Sequence, residues 1–154
     1  MGTVAITRDV PEALADCELS FVPRTPIDVA LARRQHAAYV AALRARGCEM
    51  LELPPLEGFP DSVFVEDTAL VFPELAVLTQ PGAPSRRGEV DSIGAALARF
   101  RALSRLAGEA TIDGGDVLRI GHQVYVGRSA RSNDEGIRLL RLLLEPHGYH
   151  VHGV

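Results

Sequence analysis

Carboxylate and guanidinium side chains recur in this sequence at matched places. Asp61, Glu66 and Asp67 precede one apolar stretch, and Arg86 and Arg87 follow the next. Asp113 and Asp116 precede a third, and Arg128 and Arg131 follow a fourth. A carboxylate accepts paired hydrogen bonds from an amidinium or guanidinium, and Arg grips a carboxylate through two N–H donors. Brought together, these groups suit a zwitterion with a cationic head and a carboxylate tail. The same residues also read as solvated ion pairs at strand ends, worth at most about 1 kcal/mol each. The turn Asp113-Gly114-Gly115-Asp116 favours a site, because paired glycines let backbone approach a ligand closely.

Clustered carboxylates can instead hold a hard cation through oxygen. EF-hand spacing is absent, however, and soft-metal ligands are scattered, so no metal is expected. The histidines read as structural or exposed: His36 on a helix, His122 in a turn, His147 at a helix end, His150 and His152 on one strand face. Nucleophiles are missing from the pattern. The chain has no G-x-S-x-G elbow, no P-loop and no G-x-G-x-x-G, and neither Cys17 nor Cys48 has a base placed beside it by sequence.

The elements that must position these residues follow from periodicity. Val4-Ala5-Ile6 is a short strand. Apolar positions from Ile27 to Arg46 recur at helical spacing, with Thr25 as a candidate cap, Pro26 in the first turn and Gly47 as the stop. Glu49 to Leu53 alternates as a strand. Two similar units follow, about fifty residues apart, each reading strand, tight turn, strand, loop, helix, strand. In the first, strands at 68–72 and 75–79 lead to a helix from Glu89 to about Leu106 and a closing strand near Ala110 to Ile112. In the second, strands at 117–120 and 123–126 lead to a helix from Asn133 to about His147 and a strand from Tyr149 to Val154. The stretch from Ile27 to Leu53 looks like the end of a third unit. A hairpin brings the start of its first strand and the end of its second to one end. Each repeat therefore gathers carboxylates and guanidinium groups on one rim.

Composition narrows the function classes. The 154 residues are 47% hydrophobic and 23% charged, which excludes a disordered or fibrous chain. A formal net charge of -4 disfavours nucleic acid, which needs a concentrated basic face. All sixteen cations are Arg, so each must be judged by position. Apolar runs are too short to span a bilayer, and no signal peptide is seen. A reduced, cytoplasmic setting is expected, with no membrane and no cofactor.

Four ordered blocks resemble the dimethylarginine dimethylaminohydrolase family. They are residues 59–67 (FPDSVFVED), 79–89 (TQPGAPSRRGE), 111–118 (TIDGGDVL) and 125–133 (YVGRSARSN). The resemblance covers the whole chain, including Gln35-His36 and the first strand. It implies an α/β fold of the pentein type, a β/α-propeller of ββαβ modules. About three of the five modules are expected here, as one incomplete domain over 1–154. It implies hydrolysis of Nω-methylated arginine to citrulline and a methylamine through a Cys–His–acid mechanism. Asp113 matches the catalytic acid. Asp61, Glu66 and Asp67 match the lining of the guanidino end of the pocket. Arg86 and Arg131 match the carboxylate-holding positions, and Leu19 matches a flexible lid residue.

The family's His-Leu-Lys segment and its C-terminal nucleophilic Cys have no counterpart in these residues, so this chain alone is expected to be inactive. Three modules leave open strand edges, an aggregation hazard unless covered. The missing modules or a second chain, as in a homodimer, are the expected cover. The alternatives are another guanidino-modifying pentein, such as an arginine deiminase-like hydrolase or an amidinotransferase, or a non-catalytic arginine-binding module.

Overall fold

The computed structural model describes residues 2–19 and 22–154, which fall into two compact units, Met1–Val65 and Glu66–Val154. In the first unit, β1 (Val4–Arg8) pairs in parallel with β2 (Glu49–Leu53), Val4 opposite Glu49 and Arg8 opposite Leu53. Parallel strands need a crossover, and α1 (Val29–Ala45) supplies it. The cap of α1 differs from the expectation at Thr25. Asp28 fills that role, its carboxylate accepting from the Leu31 amide at 2.9 Å. The helix starts later because only a side-chain acceptor next to its first turn can reach those orphan amides. A small core of Val10, Leu14 and Cys17, with Ile27, Val29, Ala32 and Val63 against it, closes this unit.

The second unit repeats one construction. β3 (Ala69–Val71) and β4 (Leu75–Leu78) form an antiparallel hairpin, α2 (Val90–Leu97) follows, and β5 (Ala102–Arg105) adds in parallel to β4. β6 (Val117–Ile120), β7 (Gln123–Val126), α3 (Asp134–Leu144) and β8 (His150–Gly153) do the same. Each is a ββαβ module, as the repeat predicts. The cores of both modules join in one cluster. Val77, Ile112, Val124, Val126, Leu140 and Leu144 are all fully inaccessible within it, each side chain stabilising by roughly 1.5–3 kcal/mol relative to exposure.

The closing half of the first module departs from the sequence reading. The helix expected to reach Leu106 ends at Leu97, and the closing strand is Ala102–Arg105 rather than the stretch near Ala110 to Ile112. Ile112 makes only an isolated antiparallel bridge with Gln80. Residues 98–106 hold good helix formers and no Gly or Pro, so local propensity gives no stop there. Tertiary pairing overrides it. The open edge of β4 takes the 102–105 backbone as a parallel partner, and Arg101 is tied by its Nε to the Phe72 carbonyl at 3.1 Å. Asn133, read from the sequence as the first residue of a helix, is instead the N-cap of α3. Its side-chain oxygen accepts from the amides of Gly136 at 2.8 Å and Thr111 at 3.0 Å, and its nitrogen donates to the Glu109 carbonyl at 2.7 Å. Among the described residues no helix is long and apolar enough to cross a membrane.

Candidate functional site

The hairpin registers decide which loops share an end. Ala69 lies opposite Leu78, and Val117 lies opposite Val126. Glu66 and Asp67 therefore emerge beside the chain leaving β4, and the 113–116 turn beside the chain leaving β7. Three contacts join the two rims. The Gly115 amide donates to Asp67 Oδ1 at 2.9 Å, the Gly82 amide donates to Asp113 Oδ1 at 2.9 Å, and the Ile112 amide donates to the Gln80 carbonyl at 3.0 Å.

Asp67 sits in a short 3-10 turn, Val65–Thr68, whose last residue is buried and whose Asp67 carbonyl accepts from Thr79 Oγ1 at 2.7 Å. Its Oδ2 accepts from Arg86 Nη1 at 2.6 Å. Arg86 is carried by the 3-10 turn Pro84–Glu89 and is itself buried. Glu89 grips the other side of that guanidinium, from Nε to Oε1 at 3.2 Å and from Nη2 to Oε2 at 2.9 Å. Burial alone would lower the Arg86 pKa. Hydrogen bonds and charges from Glu89 and Asp67 outweigh it and hold the pKa above the ordinary arginine value. Arg86 is a permanent cation.

Asp113 is buried at the foot of the Gly114–Asp116 turn. Its amide donates to Ser132 Oγ at 3.1 Å, and its Oδ2 faces Arg131 Nη1 at 3.2 Å. Asp116 accepts from the hydroxyls of Ser129 and Ser132 at 2.7 and 2.6 Å, and Ser129 Oγ accepts from the Arg131 amide at 2.9 Å. The loop bearing Arg131 is thus fastened to the turn bearing Asp113. The two arginines differ in access. The Arg131 side chain is 28% exposed and that of Arg86 only 2%. For Arg86 to grip an incoming carboxylate, Asp67 or Glu89 would have to release it.

Glu66 lies exposed next to Asp67, yet its carboxyl is pushed above its ordinary value, first by desolvation and then by the Asp67 charge. A raised acid loses stability as pH climbs through its folded pKa. Glu66→Gln is therefore expected to raise Tm at pH 7, with the gain vanishing below the ordinary glutamate pKa. Thermal unfolding at pH 3.5 and pH 7 reads this; a gain that persists at low pH would contradict it.

Leu19 and Asp61 belong to the first unit. Asp61 is buried, and both its oxygens accept from the Glu18 amide, at 3.2 and 3.0 Å. Arg24 donates to the carbonyls of Ala15 and Cys17 at 2.5 and 2.6 Å. Leu19 thus follows a backbone that is pinned from two sides, with its own side chain exposed. Cys17 is buried, and burial, then the Asp61 charge, keeps its thiol above the ordinary value. A protonated, buried thiol is a poor nucleophile. Sequence reasoning passed over Glu89 because it reads as the first residue of a helix; its i, i+3 spacing from Arg86 was the available signal.

Comparison with known proteins bears on this arrangement of acids and arginines. No protein-family model matches the chain. A dimethylarginine dimethylaminohydrolase of Streptomyces coelicolor is 45% identical over 148 residues, covering 96% of this chain and 57% of that protein. One of Pseudomonas aeruginosa is 44% identical over 123 residues, covering 79% of this chain and 48% of its own length. The chain is homologous to the dimethylarginine dimethylaminohydrolases. It spans about half the length of these curated relatives. A solved structure of the Pseudomonas dimethylarginine dimethylaminohydrolase, a cysteine-to-serine variant complexed with citrulline, matches 100% of this chain and 61% of that one. The TM-score is 0.95 at 39% identity. The N-terminal domain of a cyanobacterial arginine dihydrolase matches with a TM-score of 0.83 over 96% of this chain and 56% of that one. At 19% identity it speaks for the fold alone. The ββαβ modules of this dimethylarginine dimethylaminohydrolase homologue are of the pentein type.

Proposed function

We propose that these residues form the guanidino-recognising part of a hydrolase that converts Nω-methylated arginine to citrulline and a methylamine. The observation carrying the proposal is the joined pair of rims in the second unit. Asp67 and Asp113 are held in fixed orientations by backbone amides, with a reachable Arg131 beside one of them. Fixed carboxylates receive a guanidinium in paired geometry, and an accessible Arg receives a carboxylate. Both ends of an arginine-like zwitterion find complements. The complex of the Pseudomonas relative with citrulline supports the ligand class.

In this reading Asp67 and Glu66 keep the substrate guanidinium cationic and oriented, which leaves its central carbon electron-poor. Burial is the main reason the Glu66 pKa is raised; the smaller part that comes from the Asp67 charge is what an arriving cation would offset. Asp113 is the acid of a Cys–His–acid set. The thiolate attacks the guanidinium carbon, the amine leaves with a proton from the His, and water then releases citrulline. Arg131 makes the direct carboxylate contact, and Arg86 contributes by holding Asp67. Asp61 and Leu19 enter the proposal through the family resemblance, with Asp61 fixing the segment that carries Leu19.

The 154-residue polypeptide alone is proposed to bind without turnover. Cys17 is buried with its thiol held above the ordinary value, which makes it a poor nucleophile. Calorimetry is expected to show binding of L-arginine and Nω,Nω-dimethylarginine. Arg131→Ala should weaken it about 10- to 100-fold, the loss of one or two charge-assisted hydrogen bonds. A colorimetric citrulline assay of the same sample should stay blank. Absence of binding would overturn the site, and a citrulline signal would overturn the division of labour.

A further inference from the structure

Arg86 is 1% exposed and Glu89 is 2% exposed, and the two form a forked pair through Nε and Nη2. A planar guanidinium held by that edge has its remaining nitrogen aimed in a fixed direction. Here Nη1 meets Asp67 Oδ2, while the Gly115 amide meets Oδ1. A carboxylate oxygen has two lone pairs, so each oxygen of Asp67 keeps acceptor capacity for one further donor. The three side chains carry one positive and two negative charges. Arg86 and Glu89 are buried and Asp67 is half-buried, and a cluster of low solvent access with an excess negative charge favours the arrival of a second cation.

We infer that Glu89 is a positioning residue for the guanidino site: through Arg86 it fixes the orientation in which Asp67 accepts a ligand guanidinium. The inference rests on the reading of Asp67 as the guanidinium acceptor. A salt bridge that only neutralised Arg86 would not need Glu89, since Asp67 already faces that cation. What Glu89 adds is the plane of the guanidinium, and with it the direction of Asp67.

The link is readable at a residue that Glu89 does not touch. In Glu89→Gln, the Gly115 amide is expected to exchange about tenfold faster relative to Leu140 in α3, the consequence of a weakened charge-assisted hydrogen bond. Calorimetry of the folded variant with L-arginine should show a dissociation constant raised by a similar factor. Glu89→Asp keeps the charge but shortens the reach, so an intermediate effect is expected. It also carries the same two readouts if Glu89→Gln does not fold. Unchanged Gly115 exchange in a folded variant that has merely lost thermal stability would overturn the inference. Absence of arginine binding by the unsubstituted chain would sink the reading of the site instead, while the Gly115 comparison still decides the positioning link.

Discussion

Arg86→Ala is expected to be the most damaging single charge removal in the second unit. The substitution leaves Asp67 and Glu89 facing each other around an empty place, with Glu89 almost fully buried. Breaking a buried ion pair by deleting one partner costs about 3–5 kcal/mol, because the buried charge left behind loses the guanidinium that offsets its desolvation. For a chain of this length that corresponds to a fall in Tm on the order of 10–15 °C. The stranded carboxylates would have their pKa raised by burial and mutual repulsion, so the deficit should be smaller at pH 5 than at pH 7.5. The double variant Arg86→Met, Glu89→Gln removes the buried Glu89 charge as well as the cation, and is expected to be more stable than Arg86→Met alone. Thermal and urea unfolding of the unsubstituted chain, Arg86→Met, Glu89→Gln and the double variant decide this. If the double variant lost the sum of the two single losses, the pair would not be coupled as its geometry requires.

The modules were legible in the sequence because period and punctuation agree there. Asn133 before an amphipathic stretch marks α3, and Gly121, with its positive φ of 60°, marks the turn between β6 and β7. The end of α2 was not legible, since Ala, Leu and Arg run on past Leu97 and the stop comes from the edge of β4 rather than from any local residue. The rim chemistry was legible as residue types but not as burial. Arg86 resembles Arg131 in sequence context, yet one is enclosed by two carboxylates and the other reaches solvent. Its partners stand nineteen residues before it and three residues after it, and only the fold brings that pair of acids to one guanidinium.

The paired glycines of the 113–116 turn test the site most sharply, because they are there for space and not for backbone freedom. Neither has a positive φ. A Cβ on Gly114 would stand 2.0 Å from the Glu66 carbonyl oxygen and 3.2 Å from the Asp67 Cα, all backbone atoms with no side chain to swing away. A Cβ on Gly115 would meet only Asp67 Oδ1, at 2.9 Å. Gly114→Ala must therefore push the whole turn off the Val65–Thr68 segment. That breaks the Gly115–Asp67 bond and displaces Asp113 from the Gly82 amide and from Arg131. Overpacking of this kind costs about 1–3 kcal/mol or more, and arginine binding should be lost along with it. Gly115→Ala is expected to stay folded while weakening binding, since it displaces the Asp67 carboxylate alone. Gly121→Ala, with no atom near its Cβ but a left-handed backbone, should cost about 1–2 kcal/mol and leave binding intact. Unfolding and calorimetry on the three variants separate strain from site geometry. Equal binding by Gly114→Ala and Gly121→Ala would mean that the close approach of the two rims is not what builds the site.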